Sequence, residues 1–412
     1  MSKSGRVWVV ISLIVALVLM SGALFAGDKE AEEAFERGLE LTKLSELDQA
    51  IEAFTEALQQ GGPEWKYFAL AHYKRGLAYA FKGRNNRAIT DFSKCIEKAS
   101  DEGLMVAALY NRGTAFREQG QPDKAIADFS ECIRISSDKT VTATAYYNRA
   151  VLYHHKGLYN EAISDYSESV SLNPNYTKGY VNRGVAYYEI AQYDLALVDH
   201  TKAIQLEPQL AVAYNNRGLA HWGKGNYDSA IADFTEAIQL NPKFTEAYNN
   251  RGLAYHYKGQ YETAIADYST SIKLNARYHL AWNNKGRALN SMGKHQEAID
   301  CHNVAIGLNR DETYYMVCKA YALQKYGKTA EAESLYKEAL KVKLDEGKFA
   351  GTDKAWIIYG KMCAYSQLGD KENCFKALKT SIELLPNLKD EAKTEELLQK
   401  YWNDADFKAI VE

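Results

Sequence analysis

The chain has 412 residues, 46% of them apolar and 25% charged, a balance that suits a folded protein and argues against a disordered one. Its 50 basic and 53 acidic side chains leave −3 at pH 7, so no global field draws it to nucleic acid or to an anionic membrane. With 6 prolines and 30 tyrosines, long helices are permitted and a proline-rich or collagen-like chain is excluded.

Lys3 and Arg6 precede an uncharged stretch, Val7 to Ala26, and acidic residues follow from Asp28. As a helix this stretch extends about 30 Å, enough to span a bilayer. A secretory signal has the same layout, with small residues for cleavage at Ser21-Gly22-Ala23 or at Ala26. Residues 1–27 are expected to be either a cleaved signal peptide or a retained N-terminal apolar helix that anchors the chain. In both cases the charge pattern predicts the remainder outside the cytoplasm, periplasmic or extracellular.

From residue 28 onward one pattern repeats. The segment Tyr214 to Pro242 recurs in phase 34 residues later, from Tyr248 to Ala276. A small residue marks each copy: Gly38, Gly76, Gly113, Ala150, Gly184, Gly218, Gly252, Gly286 and Ala320, with Met362 in a degenerate tenth. Each copy carries two helical periods. In the sixth, Val212 to Lys224 predicts a first helix and Tyr227 to Leu240 a second, joined at Gly225-Asn226. Pro174, Pro208, Pro242 and Pro386 stop second helices, whereas Pro122 suits a first turn. The early spacings of 38 and 37 predict longer turns around Asp101–Gly103 and Ser136–Thr140.

The sixth copy carries Tyr214, Gly218, His221, Ala230, Phe234, Ala237 and Pro242; the seventh carries Tyr248, Gly252, Tyr255, Ala264, Tyr268, Ser271 and Ala276. This in-phase pattern resembles the tetratricopeptide repeat family, departing from its motif at His221, Ser271 and Ala276. The resemblance implies an all-α fold, a right-handed superhelical solenoid of about ten helix-turn-helix repeats over residues 28–387, with first helices lining a concave groove. Gly218 and Ala230 are expected to face each other across a helix pair, with aromatics filling the space between repeats. A single repeat cannot bury its apolar face, so the ends need cover. Residues 388–412 are expected to cap the tenth repeat through Leu388, Ala392, Leu397 and Tyr401.

Two sets of residues remain. Arg75/Asp91, Arg112/Asp128, Arg149/Asp165, Arg183/Asp199, Arg217/Asp233 and Arg251/Asp267 share one separation and are lost together in the eighth and ninth repeats. They read as ion pairs within each repeat, worth ~0–1 kcal/mol if partly exposed, rather than as ligand contacts. Asn111, Asn148, Asn182, Asn216, Asn250 and Asn284 hold one place in six consecutive repeats, two before the marker. Asparagine is a mediocre helix former, and its amide offers donors and an acceptor to an extended peptide backbone. In the tetratricopeptide superhelix of O-linked N-acetylglucosamine transferases the matching asparagines hold peptide, so the resemblance implies a similar ladder. The alternative is that these amides satisfy only local backbone or solvent. Six residues further on stand His154, Tyr188, Trp222 and His256, either aromatic anchors beside the ladder or rings packed on adjacent helices. Only Lys178 matches the carboxylate clamp of chaperone-binding relatives, which disfavours a chaperone tail.

No HExxH, paired CxxC, phosphate loop or GxSxG occurs, and no catalytic, cofactor or metal residues are expected. Cys95, Cys132 and Cys374 read as small core residues; Cys363 and Cys374 are the one candidate disulfide. The expectation is a non-catalytic scaffold that grips a protein or peptide partner in its groove. A different class stays open: an accessory subunit of an envelope or surface-polysaccharide assembly that uses its convex face or ends.

Overall fold

The computed structural model describes residues 28–309, 312–344 and 352–412; the apolar stretch 1–27 and the expectations attached to it lie outside them. All described regular elements are helical, and no described helix is long and apolar enough to cross a membrane. The chain divides into two compact parts, Met1–Leu152 and Tyr153–Glu412.

In the first part, helices pair as 28–43 with Leu47–Gly61, Phe68–Phe81 with Asn85–Lys98, and Glu102–Glu118 with Pro122–Ile135. The part boundary falls within Lys139–His155, the first helix of the fourth repeat. The second part continues with Tyr159–Leu172 and the pairs Thr177–Glu189/Tyr193–Leu206, Ala211–Gly223/Tyr227–Leu240 and Thr245–Tyr257/Tyr261–Leu274. His279–Ser291/His295–Leu308, Thr313–Lys325/Thr329–Lys341 and Thr352–Leu368/Lys371–Leu384 complete ten repeats. The sixth repeat lies within a residue of its predicted bounds. Its turn needs Gly225, whose φ of +76° is left-handed, and the next amide, Asn226, closes onto the His221 carbonyl at 2.9 Å. The fifth repeat makes the same turn with Ala191 at φ +58°.

The spacing of 38 lengthens a turn, residues 62–67, but the spacings of 37 do not lengthen the turns at Asp101–Gly103 and Ser136–Thr140. They lengthen the first helices: Glu102–Glu118 and Lys139–His155 have 17 residues, against 13 for Ala211–Gly223. Carboxylates start these helices early, with Asp101 accepting from the Leu104 amide at 2.6 Å and Asp138 from the Thr140 amide at 2.7 Å. Where Pro174, Pro208 and Pro242 follow the second helix, this early start does not occur.

The marker glycine faces a ring, not the expected alanine. A Cβ on Gly218 would stand 2.7 Å from the Phe234 ring, which packs with Ala230 and with Ala254 of the next repeat. Gly252 meets Tyr268 in the same way, while Gly184 and Gly286 meet the imidazoles of His200 and His302. Burying an apolar ring such as Phe234 there is worth roughly 1.5–3 kcal/mol, and the repeats stack through it.

The predicted ion pairs of Arg75, Arg112, Arg183, Arg217 and Arg251 form, and they reach further than one repeat. Arg217 Nε and Nη2 grip Asp233 at 2.9 and 2.7 Å, and Nη1 donates to Thr201 of the preceding repeat at 3.4 Å. Arg75, Arg112, Arg183 and Arg251 do the same with Thr55, Ser93, Ser167 and Thr235. The aspartates are buried, so losing the arginine strands a charge and costs about 3–5 kcal/mol, more than the exposed-pair figure. Burial pushes the Asp91 carboxyl up, but bonds from Arg75 and His72 outweigh it and hold it low. At Asp199, where Arg183 acts alone, burial wins. In the first repeat Arg37 pairs instead with Glu56.

All six cysteines are buried, unpaired thiols, as the reading of Cys95, Cys132 and Cys374 as small core residues expects, and the candidate Cys363–Cys374 bridge is not formed. They fill small core positions, and burial pushes the Cys95 and Cys374 thiols up to about 12. Leu388, Ala392, Leu397, Tyr401 and Phe407 share a buried cluster with Cys363, Phe375 and Leu378 of the tenth repeat.

Candidate peptide-binding face

The six asparagines fall into two chemical groups. In the first part, Asn111 donates to the Ala107 carbonyl at 2.8 Å and to the Tyr73 hydroxyl at 3.2 Å. Asn148 donates likewise to Thr144 and Tyr110, both at 2.9 Å, and accepts from Arg117 at 2.7 Å. Both amide hydrogens of each are thus engaged, one by the backbone of its own helix and one by a tyrosine hydroxyl of the preceding repeat. Asn111 also lines a 540 Å³ cavity between the extended starts of Glu102–Glu118 and Lys139–His155.

In the second part, each asparagine of repeats six to eight follows another that sequence reading passed over. Asn215, Asn249 and Asn283 are buried; Asn215 and Asn249 join the amides into a chain, whereas Asn283 Oδ1 lies 2.9 Å from His302 Nδ1. Asn284 donates to Asn249 at 3.0 Å, and Asn249 donates to Asn250 at 3.2 Å. Asn250 donates to Asn215 at 3.0 Å, and Asn215 to Asn216 at 3.2 Å. The doublet Asn-Asn, at the same place in three repeats and followed by Arg217, Arg251 and Lys285, was the available signal. One amide of each doublet ties adjacent first helices, while Asn216 Nδ2 donates to no described protein atom. Asn182 is half-buried and engaged.

The four aromatic positions are half-buried. His154 lies edge-on to Tyr159 at 5.3 Å, and burial lowers its pKa to about 4, helped by His155. Tyr188 tilts against Tyr193 at 5.5 Å, and Trp222 meets Tyr257 edge-on at 5.4 Å. His256 contacts Tyr261 at 5.2 Å, and burial, then Arg287, lowers its pKa to about 3. Trp222 Nε1 and His256 Nδ1 are buried without a hydrogen-bond partner. An unpaired buried donor costs about 1–3 kcal/mol, so these atoms are poised for a polar ligand.

The face already touches a polypeptide, its own. Tyr188, Glu189, Trp222 and Tyr227 enclose a 390 Å³ cavity with Asn387, Asp390, Glu391 and Thr394. His256 and Arg287 line a smaller one with Glu395–Leu397. Tyr193 donates to Asp390 at 3.0 Å, Tyr314 donates to Glu395 at 2.6 Å, and Asn387 donates to Glu189 at 3.4 Å. Tyr257 shares a cavity with Glu391, whose pKa burial raises to about 7 against the pull of Arg287. Arg287 had a visible signal: it stands where the sixth and seventh repeats carry Leu219 and Leu253.

Tetratricopeptide repeat models match residues 35–102, 106–139, 143–176, 211–244, 245–278 and 279–312, more than half of the chain. The chain therefore belongs to the tetratricopeptide repeat family. Among solved structures it is similar to a tetratricopeptide repeat protein from Parabacteroides merdae, with 20% identity and a TM-score of 0.53, covering 62% of this chain and 98% of that one. The C-terminal part of a repeat protein from Cytophaga hutchinsonii gives 18% identity and a TM-score of 0.50 over 61% and 98% of the two chains. YrrB, described as a tetratricopeptide protein with an unusual peptide-binding site, gives 23% and 0.39 over 46% and 95%. No curated protein matches.

Proposed function

We propose that the protein is a non-catalytic interaction scaffold that holds an extended protein segment on the first-helix face of repeats five to nine. One observation carries this reading: that face meets residues 387–396 around Tyr188, Trp222 and His256, and the Asn249/Asn250 and Asn283/Asn284 doublets line an adjoining cavity that Glu391 reaches. Buried aromatics beside amides with unspent donors provide anchoring and backbone recognition together. The basic start, apolar run and acidic flank of residues 3–33 support a setting outside the cytoplasm, by export or by a membrane anchor.

Affinity capture with the full chain tests the reading. Trp222→Ala is expected to abolish partner recovery with little change in melting temperature, while Val198→Asp, at a 65% exposed site on a second helix, leaves it unchanged. The reverse pattern would favour the accessory-subunit reading, with contacts outside the groove.

A further inference from the structure

The segment that touches the face fits it imperfectly. It consists of two short elements, Leu388–Thr394 and the 3-10 turn Glu396–Tyr401. In the cavity it leaves, Trp222 Nε1 and Asn387 Oδ1 are both buried and unpartnered. Burial also raises Glu189 and Glu391, which line the same cavity, to about 7. Yet the recognition chemistry is consistent: tyrosine hydroxyls from two repeats, Tyr193 and Tyr314, donate to Asp390 and Glu395, and Tyr257 of a third lines a cavity with Glu391. Arg287 adds a cation 4.0 Å from Glu395. Phenol donors and a desolvated guanidinium select carboxylates, and an arrangement that strands a donor and an acceptor leaves room for a better one.

We infer that residues 387–396 are an intramolecular ligand of this face, and that its partner is an acidic peptide with carboxylates four residues apart that displaces them. The inference rests on the groove reading above and names both the partner's chemistry and its regulation. A tethered occupant acts at millimolar effective concentration, so the face is open only in the fraction of molecules whose segment has left.

The test uses the full chain carrying Glu189→Cys and Asn387→Cys, at positions whose side chains meet at 3.4 Å, and a fluorescein-labelled peptide PNLKDEAKTEELL, the sequence of residues 386–398. Fluorescence anisotropy should show the reduced chain binding at least about tenfold tighter than the oxidised, locked one. A peptide with amides in place of its four acids should bind the reduced chain at least about tenfold more weakly than the parent. On the unsubstituted chain, excess parent peptide should speed hydrogen exchange of amides 388–394, which keeps the test open if the lock does not form. Equal binding by locked and reduced chains, or unchanged exchange, overturns the displacement. Equal binding of the amide peptide overturns the acidic partner. Absence of peptide binding overturns the inference alone, since the Trp222→Ala and Val198→Asp comparison decides the groove reading separately.

Discussion

Tyr314, on the first helix of the ninth repeat, donates a 2.6 Å hydrogen bond to Glu395, a carboxylate only 5% exposed that also lies 4.0 Å from the Arg287 guanidinium. A buried acid held by one cation and one phenol fastens the C-terminal segment to the repeats, and its charge makes the fastening conditional. Arg287→Met leaves Glu395 without its cation and should destabilise the protein by about 3–5 kcal/mol in urea unfolding. Adding Glu395→Leu removes the stranded charge and should recover most of that loss. Full additivity of the two substitutions would show that they do not form a pair.

His200 stands where neighbouring repeats carry Tyr166 and Phe234, against Gly184, with neither ring nitrogen bonded. Burial, then Arg217, lowers its pKa to about 3. A histidine held neutral in the fold contributes stability that is present above its ordinary value near 6.5 and is lost as pH falls toward 3. His200→Phe should therefore raise stability by about 1–2 kcal/mol at pH 7 and flatten the decline on acidification. Urea midpoints at pH 7 and pH 5 check both effects; a destabilised variant would mean that the imidazole has a partner.

Glu391 gives the opposite slope. Its pKa is raised to about 7 from 4.5, so the docked segment favours the protonated acid, and docking weakens as pH rises through that window. Arg287, Tyr257 and Tyr314 face it from the first helices; Tyr227, Lys224 and Trp356 share its cavities, with Asp390, Lys393 and Glu395 on its own segment. Glu189, also near 7, acts in the same direction. Hydrogen-exchange protection of amides 388–394, corrected for intrinsic rates, should fall between pH 5.5 and 8 in the parent chain. In Glu391→Gln it should fall much less. An equal fall in both would place the titration elsewhere.

The repeat architecture was legible because it is local: a recurring glycine, ring and turn within 34 residues set each helix pair, and Gly225 and Phe234 do in three dimensions what their spacing requires. The Arg217–Asp233 pair was legible for the same reason, although its reach to Thr201 was not, because that contact crosses repeats. Asn216 and Asn250 were singled out while the buried Asn215 and Asn249 beside them were missed; sequence period gives the place but not which neighbour turns inward. The docking of Asp390 on Tyr193 spans 197 residues and depends on how the intervening repeats stack, which no local pattern encodes.

The central claim is that the first-helix face of repeats five to nine receives polypeptide. The most direct measurement replaces Tyr188 by p-benzoylphenylalanine, irradiates the purified full chain and maps the adducts by mass spectrometry, with the same label at Val198 as the control. The account predicts adducts from position 188 to residues 387–394, lost when excess PNLKDEAKTEELL peptide is present and replaced by adducts to that peptide. Adducts from position 198 but none from 188 would contradict it.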